Sequence, residues 1–105
     1  MDYKVIIAPR AISDLRDIVL YVSPDSPEAA RKLGYALIEK TKALAAFPRS
    51  GGIVRELADS NIRQLILPPY RIIYRVDDSA GVVGVARFWH GAQSNLSTID
   101  LNDRA

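Results

Sequence analysis

The hydrophobic period changes once along this chain, and that change restricts the fold more than any other feature. Over residues 11–46 apolar side chains recur every three or four positions, as on one face of a helix. Over residues 62–89 they fall instead into short β-branched and aromatic runs divided by turn residues. Helices followed by a cluster of strands point to an α+β domain rather than an alternating α/β one. At 105 residues the chain has the length of one domain, and no composition shift marks a linker, so residues 1–105 are read as a single domain.

The elements follow from local chemistry. Tyr3 to Ala8 is β-rich and stops at Pro9, which predicts a first strand. Pro9 suits a helix entry, because its missing N–H would be unpaired there anyway, and a helix is predicted from Ala11 to about Val22. Its apolar stripe is read as Ile12, Leu15, Ile18, Val19 and Val22. Ser26 as N-cap, Pro27 next and Glu28 in the first turn start a second helix running to about Ala46. There Ala30, Leu33, Leu37, Thr41 and Leu44 form the stripe, and Ala29, Ala36 and Ala43 would allow close approach on one side. So short a connection predicts a helical hairpin.

Phe47-Pro48 ends that helix, and Arg49-Ser50-Gly51-Gly52 reads as a flexible loop. Three strands are then predicted: Ile62 to Leu67, Tyr70 to Val76 and Val82 to Trp89. The connections Pro68-Pro69 and residues 77–81 are hairpin-sized, so the three should be antiparallel neighbours. The expected order is β-α-α-β-β-β: a helical hairpin packed on a mainly antiparallel four-stranded sheet. After Gly91 a short helix from Ser94 would carry Leu96, Ile99 and Leu101.

Several function classes are disfavoured. Cysteine is absent and His90 is the lone imidazole, so no metal site and no cofactor are expected. The N-terminus has acid and base inside a short apolar run, unlike a signal peptide, and no stretch nears the ~20 apolar residues of a membrane span. No membrane contact and a cytoplasmic location are therefore expected. Net charge is only +2, yet nine bases between residues 29 and 76 face Glu39, Glu56 and Asp59 alone, which suits a polyanion or an acidic protein partner.

On the strand Tyr70 to Val76, alternation puts Tyr70, Ile72, Tyr74 and Val76 on the helix-facing side. Arg71, Ile73 and Arg75 take the other, read as an open face where arginine can hold phosphate or carboxylate bidentately. On the last strand either Arg87 and Trp89, or Phe88 and His90, join that face, since a bulge at Gly84 or Gly91 could change the parity. His90 is the one side chain suited to acid–base work near neutrality.

The element order, with AISDLRDIVLYV, SPEAARKLGYALIEKTKALAAFPRSG, NIRQLILPPYRIIYRV and VARFWHG in sequence, resembles the RelE/ParE toxin superfamily from Tyr3 to about Gly91. The resemblance implies a type II toxin neutralised by a cognate antitoxin. RelE-like members cleave mRNA on the ribosome; ParE-like members act on DNA gyrase. The RelE pattern has closely spaced lysines before YR, the arginine of YR, and a C-terminal arginine and tyrosine. Here Arg63, Arg71 and His90 are the matches; Leu65 stands where a second base would be useful, and no tyrosine follows His90. The partial match favours a ParE-like gyrase inhibitor, and the strand reading above supplies Arg71, Arg75, Arg87 and His90 as the expected target contacts. The alternative is a metal-independent endoribonuclease using Arg63, Arg71 and His90.

Overall fold

A computed structural model describes residues 2–57, 61–91 and 101. Its elements are β1 (Lys4–Ile7), α1 (Pro9–Val22), α2 (Pro27–Lys42) with a 3-10 turn at Ala43–Ala45, β2 (Gly52–Ile53), β3 (Ile62–Leu67), β4 (Tyr70–Asp77) and β5 (Val82–His90). They form an α+β fold: two helices on a mixed sheet of order β1-β5-β4-β3-β2. β1 runs parallel to β5, and the other pairings are antiparallel.

The sheet has five strands, not the expected four, because Gly52–Ile53 pairs with Gln64 and Arg63 on β3. The Arg49–Gly52 stretch is correspondingly not a flexible loop. Gly51 is buried; its N–H donates to the Tyr74 hydroxyl at 3.0 Å, and its carbonyl accepts from Arg63 Nη1 at 2.8 Å. A Cβ on Gly51 would lie 2.3 Å from the Gln64 carbonyl oxygen and 2.7 Å from the Tyr74 hydroxyl, so only glycine fits. Burial pushes the Tyr74 phenol up from its ordinary value.

Ser26 caps α2 as expected, its hydroxyl accepting from the Ala29 N–H at 3.1 Å. The α2 stripe holds: Ala30, Leu37, Thr41 and Leu44 are buried and Leu33 packs on the core. The α1 stripe is shifted. Ala11 is fully buried, with Leu15 and Ile18 packed beside the core, while Ile12 is 53% exposed. Ala29, Ala36 and Ala43 are exposed; the close approach of the helices is at Gly34, where an added Cβ would stand 3.3 Å from Val19 Cγ2.

As predicted, Tyr70, Ile72, Tyr74 and Val76 face the helices, packing with Ala11, Leu37, Val83, Val85 and Phe88. The opposite face is not open. Val54, Ile62, Ile73 and Trp89 form a second small core there, joined by Leu57 and Leu101. The bulge is at neither glycine: the β4–β5 register shifts between Ile73, opposite Arg87, and Tyr74, opposite Val85, leaving Ala86 as the extra residue. Gly91 serves another purpose. Its N–H donates to the Pro69 carbonyl at 2.7 Å, and a Cβ there would sit 2.9 Å from that oxygen. The expected helix from Ser94 falls outside the described residues, apart from Leu101.

Candidate functional site

Directly opposed residues on antiparallel strands share a face, so the register sorts the candidate residues. Arg71 lies opposite Trp89 on β5 and Ile66 on β3, and Arg75 lies opposite Ile62. These side chains belong to the face away from the helices. His90 lies opposite Tyr70 and Arg63 opposite Tyr74, so both belong to the helix-packed face. The His90 and Tyr70 rings meet edge to face, 5.2 Å between centroids.

The trio Arg63, Arg71 and His90 therefore does not converge. Arg71 is on one side of the sheet and the other two are on the opposite side. Arg63 and His90 are also separated by two strand spacings and four residues of strand length, roughly 16 Å at standard sheet dimensions. Arg63 is further committed to the Gly51 carbonyl. Acid–base work on one phosphate needs both groups within hydrogen-bond reach of it.

Arg87 is not on an open surface. It is 5% exposed, its Nε donating to Asp14 Oδ2 at 2.6 Å and its Nη2 to Asp14 Oδ1 at 3.0 Å. The cause is the short β1, which ends opposite Val85 and leaves the far half of β5 without a strand neighbour on that edge. Asp14 of α1 fills the gap, also accepting the Phe88 N–H at 3.1 Å. The Arg87 guanidinium lies 5.2 Å from the Trp89 ring centroid, adding a cation–π contact. Arg87 and Asp14 together lock β5 to α1. Trp89 and Phe88 are core residues, as their type suggests.

Two arginines remain on the sheet face, in different states. Arg71 is half-buried, and its Nη1 donates to Glu56 Oε2 at 2.9 Å and to Gln64 Oε1 at 3.2 Å. Glu56's own backbone amide, and then Arg71, hold its carboxyl below the usual carboxylate range. Arg75 is exposed and has no hydrogen-bond or ion-pair partner among the described residues. The result is one oriented guanidinium and one exposed cation flanking the apolar ground of Ile73 and Trp89. That combination suits an acidic protein surface better than a reaction centre.

Residue pattern alone missed Glu56, Gln64 and Asp14. Gln64 becomes visible only with the β3–β4 register, and Asp14 only once the length of β1 is known. It also missed a tie across the far end: Asp78 accepts from Arg49 and, at 2.6 Å, from the Tyr3 hydroxyl. Those two bonds hold the Asp78 carboxyl below its ordinary range. Among the described residues no group of three or more His, Cys, Asp or Glu side chains could hold a metal ion, and no helix is long and apolar enough to cross a membrane.

Known proteins share this plan. Toxin RelE2 of Caulobacter vibrioides is 35% identical over 91 residues, which make up 86% of this chain and 97% of that protein. The chromosomal ParDE TA system from P. aeruginosa superposes with a TM-score of 0.69 at 24% identity, covering 84% of this chain and 95% of that one. The toxin–antitoxin complex RelBE2 from Mycobacterium tuberculosis gives 0.65 at 24% identity, covering 86% and 99%. Both structures bear on the fold alone. A family model, described as the ParE toxin of the type II toxin–antitoxin system parDE, matches residues 5–95. This chain accordingly belongs to the ParE family of type II toxin–antitoxin toxins, within the RelE/ParE superfamily.

Proposed function

We propose that this toxin acts by contact with a protein target, DNA gyrase, through the sheet face that carries Arg71 and Arg75, and that a cognate antitoxin neutralises it. The observation behind the reading is the separation of Arg63, Arg71 and His90, which leaves the nuclease set without a common reaction centre. Stabilising a pentavalent phosphorane requires cations aimed at one point, and each lost contact of that kind costs about 3 kcal/mol, or roughly a hundredfold in rate. Membership of the ParE family supports the gyrase target, and the relatives solved as toxin–antitoxin systems support the antitoxin partner. Arg87 serves this surface indirectly, by fixing the end of β5 beneath Trp89.

The likeness to RelE2 favours the second reading, a ribosome-dependent mRNA endoribonuclease. Mapping mRNA 5′ ends by primer extension after induction separates the two. The gyrase reading expects no codon-specific cuts, with DNA breaks and filamentous cells instead. Cuts in translated messages that vanish in His90→Ala would replace it with the nuclease reading.

A further inference from the structure

The face opposite the arginines carries a second feature that the toxin reading does not use. Asp14, Asp17, Ile18 and Tyr21 are spaced as one stripe along α1, and that stripe overhangs the end of the sheet at Tyr70, Phe88 and His90. Between them is a cleft of about 340 Å³. This is the low end of the range for small-ligand sites, roughly 300–1,000 Å³, and fits one long side chain rather than a helix.

The chemistry of its walls is specific. Asp14 is neutralised by Arg87. Asp17 is exposed and has no hydrogen-bond or ion-pair partner among the described residues, so it supplies the uncompensated charge. Aromatic side chains line the same cleft: Tyr21 is 83% exposed, and the buried Tyr70 ring meets the His90 ring edge to face. A carboxylate on the same cleft wall as the exposed Tyr21 ring selects a cation that can both pair and stack. Guanidinium does both, being planar, weakly hydrated and able to donate two parallel bonds to one carboxylate. The adjoining site within the fold follows the same rule, with Arg87 bidentate on Asp14 and set against the Trp89 ring.

We propose that the α1–β5 cleft, built by Asp17, Tyr21, Tyr70 and His90, receives an arginine side chain presented by a protein partner. It lies on the other side of the sheet from Arg71 and Arg75, so its occupant need not displace a ligand of that face. The inference does not depend on which target the toxin attacks.

The test is an NMR titration of the ¹⁵N-labelled protein with N-acetyl-L-arginine amide, with the norleucine and lysine amides in parallel. Saturable shifts gathered at Asp14, Asp17, Tyr21, Phe88 and His90 are expected for the arginine probe, with weaker binding of the lysine probe and none of norleucine. Asp17→Asn should weaken arginine binding about three- to fivefold, the size of an exposed charge pair, while leaving the rest of the spectrum in place. Tyr21→Leu should weaken it by removing the ring face. Equal binding of norleucine or lysine, unsaturable shifts spread over the acidic surface, or indifference to both substitutions would overturn the proposal.

Discussion

Replacing Asp14 by alanine should destabilise this chain more than any other change to a single charged side chain among the described residues. Three hydrogen bonds end on its carboxylate: two from the Arg87 guanidinium and one from the Phe88 N–H. The Asp14 and Arg87 side chains are only 13% and 6% exposed, so water cannot readily replace what is lost. Removing one partner of a buried pair costs about 3–5 kcal/mol, because the other charge is left in a low-dielectric site. The Trp89 ring still faces the guanidinium, and a cation–π contact of about 1 kcal/mol places the expected loss near 4 kcal/mol rather than 5. A domain of this length has about 5–15 kcal/mol in all, so the loss is a large share of its stability. The melting temperature should fall by about 15–20 °C. Trp89 is the single tryptophan, and it sits beside the broken pair, so urea unfolding followed by its fluorescence reports the change directly. The double variant Asp14→Leu/Arg87→Met should recover the part due to the stranded guanidinium, since a buried pair is worth little against apolar residues of similar size, while the unpaired Phe88 N–H keeps a cost of about 1–3 kcal/mol. A loss under about 1 kcal/mol in Asp14→Ala, or a double variant no better than the single, would show that the Asp14–Arg87 pair does not hold β5 to α1.

Four further outcomes follow from close contacts and one titrating carboxyl. Gly51→Ala should unfold the β2–β3 junction, because its Cβ would meet the Gln64 carbonyl at 2.3 Å; Tyr74→Phe should cost about 1–3 kcal/mol in urea by leaving the buried Gly51 N–H unpaired. Gly91→Ala should free the end of β5 from the Pro69 carbonyl, seen as faster amide exchange at Gly91 and His90, with the remainder of the sheet protected. The Glu56 carboxyl has its pKa lowered in the fold, so its stabilisation is complete above the unfolded value of about 4.3 and is lost as pH falls through the folded value below it. Amide exchange at residues 54–57 should therefore loosen on acidification below about pH 4, and Glu56→Gln should abolish that pH step.

The residues that set local geometry were the legible ones. Ser26-Pro27-Glu28 marks the start of α2 without any tertiary information, and alternation along Tyr70–Val76 assigns the core face of β4. The α1 stripe was misplaced because the sequence rewards large apolar residues, whereas the surface beneath α1 admits alanine at position 11 and leaves Ile12 in water. Gly51-Gly52 reads as freedom, yet one glycine is there because no Cβ fits and the next begins a strand. The site was legible only as a set of residue types. Whether Arg71 and His90 share a face depends on one extra residue at Ala86, and no local signal distinguishes that bulge from one at Gly84 or Gly91. Arg87 looked like a surface cation because its partner, Asp14, is 73 positions away.

Inhibition by protein contact through the Arg71 and Arg75 face can be measured in a gyrase supercoiling assay with the purified toxin. Added toxin should block supercoiling of relaxed plasmid, and Arg71→Ala/Arg75→Ala should raise the concentration needed by about tenfold or more, as the loss of two interface arginines implies. Full supercoiling at saturating toxin, with a translating ribosome extract showing cut mRNA under the same conditions, would contradict it.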